Sequence, residues 1–268
     1  MDLRDRRVLI TGASSGIGAE AARQFAQAGA QVVLLSEREE ELNAVAYSIQ
    51  RAGGQAAALV VDLSHPEQVE GLISHVEQQV GPVDILINNA GVGLGATVLE
   101  TKPADLRFLF EVNFFALAEL CRQALAAMAP RGRGHIINVS SAASVVGGPT
   151  ISAYAATKGA IHAFTQSLRI EASACGVSVS EVLPISVKTG FFESVKGKKY
   201  RPGGIVLSSE SVARSIVRCA ASARPAPEVL PYGLIRIVFV LNALMPVAFA
   251  RFAAKRYARS TEQKEAQK

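Results

Sequence analysis

A chain of 268 residues, 49% of them hydrophobic, suits one large α/β domain or two small ones and can bury a sizeable core. Its formal net charge of +5 is too mild, and its basic residues too scattered, to indicate a nucleic-acid partner. The opening MDLRDRRVLITG places charges before a very short apolar run, which is neither a secretory signal nor a membrane span. Three widely spaced cysteines, Cys121, Cys175 and Cys219, read as small buried thiols of a reducing cytoplasm, and the histidines at 65, 75, 135 and 162 lack metal-ligand spacing and read as structural.

Strand-like and helix-like stretches alternate from the start. Residues 8–11 form a short apolar strand, 16–28 a helix stopped by Gly29, and 31–36 (QVVLLS) a second strand. A charged helix over 37–51 leads to a strand at 56–61. Pro66 opens another helix at a favoured early position, and Gly81 with Pro82 closes it. A strand at 83–88 (VDILIN), a long helix over 103–128, a strand at 135–140 (HIINVS), a helix over 152–174 and a strand at 177–183 follow. These strands are nearly continuous apolar runs, the pattern of strands buried on both faces of a parallel sheet. The alternation predicts right-handed βαβ units in a doubly wound, Rossmann-type parallel sheet, with ligands outside the carboxyl ends of its strands.

Beyond 189 the pattern loosens into an expected substrate loop over 189–208. Phe191, Phe192 and Val195 read equally as an apolar lid or as core-packed residues of a surface loop, and the basic run KGKKYRPGG follows. A helix over 210–223 precedes the Pro-rich ARPAPEVLP, where any last strand is short. The expected organisation is therefore a single α/β domain over 1–232, an apolar and basic helical extension over 233–259, and a disordered tail over 260–268. Arg236, Asn242 and Pro246 interrupt a stretch barely long enough to span a membrane, so two short helices broken at Pro246 are expected. The second mixes Val247, Phe249, Phe252 and Ala253 with Arg251, Lys255 and Arg256. Such a segment covers the cleft or a subunit interface, the favoured reading, or lies weakly on an anionic membrane surface.

Two stretches carry chemistry. Thr11-Gly12-Ala13-Ser14-Ser15-Gly16-Ile17-Gly18 lies between the first strand and the first helix. Its glycines let the backbone approach a diphosphate, and the helix N-terminus offers free N–H groups. A tight strand–helix turn would read the same way, but the position after the first strand favours a dinucleotide. Tyr154 and Lys158, four apart in an Ala-rich, Pro-free window, share one helix face. A phenol loses its proton near pH ~10, and an adjacent ammonium favours the phenolate, so Tyr154 is suited to exchange a proton with a substrate oxygen. The Ser141 hydroxyl is a third partner that can hold that oxygen.

The spacing G-x-x-x-G-x-G resembles that of the classical short-chain dehydrogenases/reductases, and the resemblance extends from Val8 to Thr189. Asp62 and Leu63 stand where that family holds the adenine, Asn88-Asn89-Ala90-Gly91 matches its NNAG motif, and Asn113, Ser141, Tyr154 and Lys158 complete its Asn–Ser–Tyr–Lys set. The resemblance implies that Tyr154 is the acid/base, that Lys158 lowers its pKa and holds the nicotinamide ribose, and that Ser141 orients the substrate. It also implies that Asn113 holds a relay water and locally distorts its helix, and that Asn88 and Asn89 tie strands together behind the cofactor. Gly12, Ser14, Ser15, Gly16, Ile17, Gly18, Ala90, Gly91, Pro184 and Thr189 complete the implied cofactor site, with Thr189 on the carboxamide. Taken alone, Ser141 reads as a strand-end cap and Asn113 as an ordinary buried amide.

One departure is Pro184-Ile185 where the family has Pro-Gly, since Ile does not readily take positive φ. Another is Ser36-Glu37-Arg38 after the second strand, which matches neither the NAD nor the NADP pattern completely. Ser36 leaves room for a 2′-phosphate that Arg38 can pair with, so the sequence leans to NADP(H) over NAD(H). The expected function is an NAD(P)-dependent oxidoreductase of a secondary alcohol or ketone, with a lipophilic small-molecule substrate, a cytoplasmic or peripheral-membrane location and a homodimeric or homotetrameric state. The alternative is a catalytically silent dinucleotide sensor on the same fold, against which the intact Tyr154/Lys158 pair argues.

Overall fold

The computed structural model describes residues 2–189, 191, 196–197 and 204–265, with side chains to 258. Phe192, Val195 and most of the basic run that follows lie outside the described residues.

The chain order is β1 (Arg7–Thr11), α1 (Gly16–Gln27), β2 (Gln31–Ser36), α2 (Glu39–Arg51), β3 (Gln55–Val60), α3 (Pro66–Val69), α4 (Leu72–Val80), β4 (Ile85–Asn88) and a two-residue β5 (Leu94–Gly95). Then come α5 (Pro103–Phe110), α6 (Ala116–Met128), β6 (Gly134–Val139), α7 (Ser152–Ser173), β7 (Val177–Val182), and the short strands β8 (Val187–Lys188), β9 (Lys196–Gly197) and β10 (Leu207–Ser208). Helix α8 (Ser209–Ala221), strand β11 (Glu228–Val229) and helices α9 (Ile235–Leu244) and α10 (Pro246–Glu265) end the chain.

Seven strands form one all-parallel sheet in the order β11-β7-β6-β4-β1-β2-β3. The chain runs outward from β1 to β3 and then returns to β4 on the other side of β1, which creates the crevice where such sheets bind ligands. Alternate side chains of each strand feed two cores, as the continuous apolar runs require. Val8 and Ile10 of β1, with Val32 and Leu34 of β2, pack on the α1, α2 and α8 side. Leu9, Val33, Leu35 and Leu86 pack on the α4, α6 and α7 side. Fully burying one such side chain is worth about 1.5–3 kcal/mol. Strand β3 departs from the two-sided pattern: it is the sheet edge, mostly exposed, and its small Ala56, Ala57 and Ala58 have little surface to bury.

Two elements differ from expectation, and one expected distortion is seen. The helix opened by Pro66 breaks after Val69, because Gly71 takes φ 68 and starts α4 afresh. The long helix over 103–128 widens at Glu111–Phe115 into a π turn, in which the Ala116 N–H donates to Glu111 O, and this is the local distortion at Asn113 that the resemblance implied. The last helix continues to Glu265, past residue 259 where the tail was placed. As the proline signalled, α9 and α10 meet at Pro246, bent by 116°. Among the described residues no single helix is long and apolar enough to cross a membrane. Cys121 and Cys219 are buried, whereas Cys175 is only half-buried.

Candidate active site

The carboxyl ends of β1, β2, β3, β4, β6 and β7 open into one cleft of about 710 Å³. Its floor is the turn after β1. Gly12 has φ 63, and a Cβ there would stand 2.8 Å from Ala90 Cα, so the two turns touch only because Gly12 has no side chain. Gly18 faces inward, against the Gly12 carbonyl oxygen, and its contribution is to bring α1 close rather than to line the cleft. Ser14, Ser15, Gly16 and Ile17 line it, and Ser15 precedes α1 without a side-chain cap, which leaves the first-turn N–H groups toward the cleft. Thr11 Oγ1 accepts from the N–H groups of Asn89 and Ala90, each at 3.0 Å, and Asn89 Nδ2 donates to the carbonyls of Thr11 and Gly12 at 3.0 and 3.2 Å. These bonds lock the NNAG turn to the glycine turn. Asn88 lies deeper, donating to Asn138 Oδ1 across the sheet at 2.9 Å.

At one end of the cleft Asp62 and Leu63 follow β3, and Ser36 and Arg38 follow β2. Arg38 Nη2 donates to Ser14 Oγ at 2.9 Å and Ser15 Oγ at 2.5 Å, and Ser36 Oγ donates to Ser14 Oγ at 2.9 Å. Three hydroxyls and a guanidinium thus form one cluster. Two carboxylates also reach Arg38, Glu37 at 4.0 Å and Glu41 at 3.6 Å.

At the other end stand Ser141, Tyr154 and Lys158. Ser141 Oγ accepts from the Ala143 N–H at 3.1 Å, capping a short turn after β6, so its own O–H remains to donate. Ser141 is thus a strand-end cap whose hydroxyl lies at the cleft. Lys158 Nζ donates to Val139 O at 3.1 Å and lies 5.7 Å from the Tyr154 ring centroid, while Phe191 packs on the same ring at 5.7 Å. Burial pushes the Lys158 ammonium down from its ordinary value of 10.5 to about 8, and the Glu181 carboxylate works against that push. Gly91 lies beside this lysine, and a Cβ there would crowd Asn113 Oδ1 at 3.2 Å while only touching Lys158 Nζ at 3.6 Å.

Asn113 does not line the cleft. It is fully buried in the π turn, where Oδ1 accepts from the Val92 N–H at 2.7 Å and Nδ2 donates to Val92 O at 2.9 Å and Thr157 Oγ1 at 3.0 Å. Thr157 Oγ1 in turn donates to Tyr154 O at 2.8 Å. The side chain thus ties the loop after β4 to the helix that carries Tyr154, with both amide N–H groups used in doing so. Ile185 lines the cleft beside Pro184, with Thr189 beyond. Among the described residues only Asp5 and Thr150 have positive φ without being glycine, so Ile185 sits in an ordinary backbone conformation.

The far wall comes from the C-terminal segment, in keeping with its favoured reading as a cover over the cleft, although the sequence did not single out the residues that form it. Ile235, Val238 and Phe239 from one face of α9 close the cleft together with Phe108, Val146 and Ile151. Their i, i+3, i+4 spacing was visible, but α9 is apolar all round, so no single face stood out.

This is the fold and site of a dinucleotide-dependent oxidoreductase. A family model described as short chain dehydrogenase matches residues 6–199, and the chain belongs to that family. It is 34% identical to "Dehydrogenase/reductase SDR family member 7B" of Xenopus tropicalis over 95% of this chain and 86% of the relative. It is 35% identical to "Fatty acyl-CoA reductase Rv0547c" of Mycobacterium tuberculosis over 91% and 81%. Among solved structures, a short-chain dehydrogenase/reductase of Burkholderia phymatum in complex with NAD superposes with TM-score 0.83 at 25% identity, covering 91% of this chain and 94% of that one. A metagenomic short-chain oxidoreductase in complex with NADP gives 0.75 at 33% identity, covering 86% and 98%. The protein is an NAD(P)-dependent oxidoreductase, and the glycine cradle, the open first turn of α1 and the Arg38 cluster fit such a cofactor.

Proposed function

We propose that the protein interconverts a lipophilic secondary alcohol and its ketone, with Tyr154 as the acid/base and NADP(H) as the preferred cofactor. The nicotinamide, when bound, gives or takes the hydride. The glycine turn and the first turn of α1 would hold the diphosphate, Asp62 and Leu63 the adenine, and Thr189 the carboxamide. In reduction, Tyr154 donates its proton to the carbonyl oxygen while the Ser141 hydroxyl hydrogen-bonds the same oxygen. The Lys158 ammonium stabilises the phenolate left behind.

One observation carries the substrate class: the cleft that Ser141 and Tyr154 line is also walled by Phe108, Val146, Ile151, Ile235, Val238 and Phe239, apolar surface that rewards burial of an apolar chain. The name of the mycobacterial relative, a fatty acyl-CoA reductase, agrees with that class. The test is a series of ketones of increasing alkyl length, each with NADPH and NADH. Rising kcat/KM with chain length, blunted by Phe239→Ala, is expected; a preference for small polar ketones would overturn the reading.

The outer face of the same helix supports a weak membrane association. Leu234, Ile237, Leu241 and Leu244 are exposed, Met245 and Val247 continue the patch around the bend, and Arg251, Lys255 and Arg256 of α10 are exposed beside it. Apolar surface flanked by cations suits an anionic bilayer, and α9 then has lipid on one face and the cleft on the other.

A further inference from the structure

One buried charge lies behind the catalytic residues. Glu181 of β7 is wholly buried and faces α7. Its Oε2 pairs with His162 Nδ1 at 2.7 Å and the Ser140 hydroxyl also acts on the carboxylate, but its Oε1 has no partner within 3.5 Å among the described residues. A buried carboxylate left half-satisfied is costly unless a cation compensates it. The neighbouring amide on β6 does not compensate it: Asn138 stands in register with Glu181, but its own groups are committed to Asn88 and Thr165.

The compensating cation is on the facing helix. Tyr154, Lys158, His162 and Gln166 recur every four residues along α7, one stripe running from the cleft to the surface. Gln166 Nε2 lies 2.9 Å from His162 Nε2, an arrangement that leaves Nδ1–H to donate to Glu181. Lys158 feels the Glu181 charge, and it is faced by Tyr154 from its own helix and by Glu181 from β7. Glu181 is faced by His162 from α7, by the Ser140 hydroxyl after β6 and, with the opposite effect, by Glu228 from β11, while its own charge reaches Lys158.

We propose that Glu181, oriented by His162, is a positioning residue for Lys158: its carboxylate holds the lysine in the ammonium form that proton exchange at Tyr154 requires. Burial alone drives Lys158 toward the neutral amine and Glu181 toward the neutral acid. The Glu181 charge opposes the neutralisation of Lys158, and on the carboxylate side His162, with a hydrogen bond from Ser140, opposes the neutralisation of Glu181. His162 is thereby part of the site rather than a bystander in the core.

The inference rests on the Tyr154/Lys158 reading, and its test does not depend on turnover. Lysine labelled with ¹³C at Cε is followed by NMR through a pH titration of the full-length protein, with Lys158→Met identifying the signal. Glu181→Gln keeps the shape and loses the charge, and the Lys158 transition is expected to move to lower pH by about one unit or more. Glu181→Asp, which keeps the charge, is expected to restore most of the shift. A Lys158 transition unmoved in Glu181→Gln overturns the proposal and leaves the His162–Glu181 pair as a clamp between α7 and β7. Glu181→Met supplies an apolar side chain of similar volume if the glutamine variant does not fold. Failure of both to fold while Glu181→Asp folds would equally assign the pair to the clamp. The alkaline limb of ketone reduction should fall to lower pH together with the NMR transition. An NMR shift without that change would fault the assigned role of Tyr154 and leave the Glu181–Lys158 coupling standing.

Discussion

Lys158 Nζ stands 5.7 Å from the centroid of the Tyr154 ring, one turn further along α7. The ring is held between that ammonium and Phe191, whose ring is tilted 59° to it. Tyr154→Phe keeps the ring and both packing contacts and removes only the group that exchanges a proton. Folding and cofactor affinity should be unchanged, while kcat/KM falls by ~10²–10⁴. Activity within about twofold of wild type, at matched folding, would remove Tyr154 from the mechanism.

The same lysine is a burden on the fold. With a folded-state value of about 8 against 10.5 when exposed, the unfolded chain binds the proton more tightly. The resulting penalty is fully present below pH 8 and disappears as pH rises toward 10.5. Lys158→Met should therefore make the cofactor-free protein more stable at pH 7 by up to about 3 kcal/mol, from ~1.36 kcal/mol per pH unit. Denaturant unfolding at pH 7 and pH 10 checks it: the advantage of the variant should shrink at the higher pH. Loss of stability at pH 7 would show that the Lys158–Val139 hydrogen bond outweighs the desolvation of the charge.

Arg38 already gathers the hydroxyls of Ser14 and Ser15 into a set of donors after β2. Its ion pairs with Glu37 and Glu41 are exposed and weak, so a 2′-phosphate can displace them. A charge-assisted, bidentate phosphate contact is worth about 1.5–3 kcal/mol, so Arg38→Ala should weaken NADPH binding roughly 10- to 100-fold. NADH binding should change by less than about twofold, since the pairing is with the 2′-phosphate. Calorimetric titration of both cofactors decides it, and tighter wild-type binding of NADH would reject the NADP assignment.

What was legible in the sequence is what local pattern dictates. The glycine turn, the Tyr154/Lys158 spacing and the apolar strands each sit within a window of a few residues, and the structure brings the first two together at the carboxyl ends of the strands. The break at Gly71 and the π turn at Glu111–Phe115 changed local geometry without altering which face is buried, so periodicity did not reveal them. Glu181 was missed because its meaning is not local. A lone carboxylate in VSVSEV is conspicuous, but its partners come from the register of β6 with β7 and from a helix beginning 29 residues earlier (181 − 152). The covering role of the C-terminal segment was legible, but the face of α9 that performs it was not: only the cleft distinguishes Ile235, Val238 and Phe239 from the equally apolar Leu234, Ile237 and Leu241.

That division of α9 makes the membrane proposal testable without disturbing the cleft. Leu241→Glu with Leu244→Glu changes only the outer face, leaving Ile235, Val238 and Phe239 in place. Full-length protein should float with vesicles containing phosphatidylserine at low salt and be partly released as salt rises, because the Arg251, Lys255 and Arg256 charges are screened over a Debye length of ~10 Å at 0.1 M. The double variant should stay in the unbound fraction and keep its activity toward a short, water-soluble ketone. Its advantage on a ketone presented in vesicles should disappear, since delivery from the bilayer is lost while the cleft is intact. If wild-type protein never floats, and the double variant changes only the oligomer mass seen by light scattering, the outer face of α9 is an interface between copies of this chain and the membrane proposal fails.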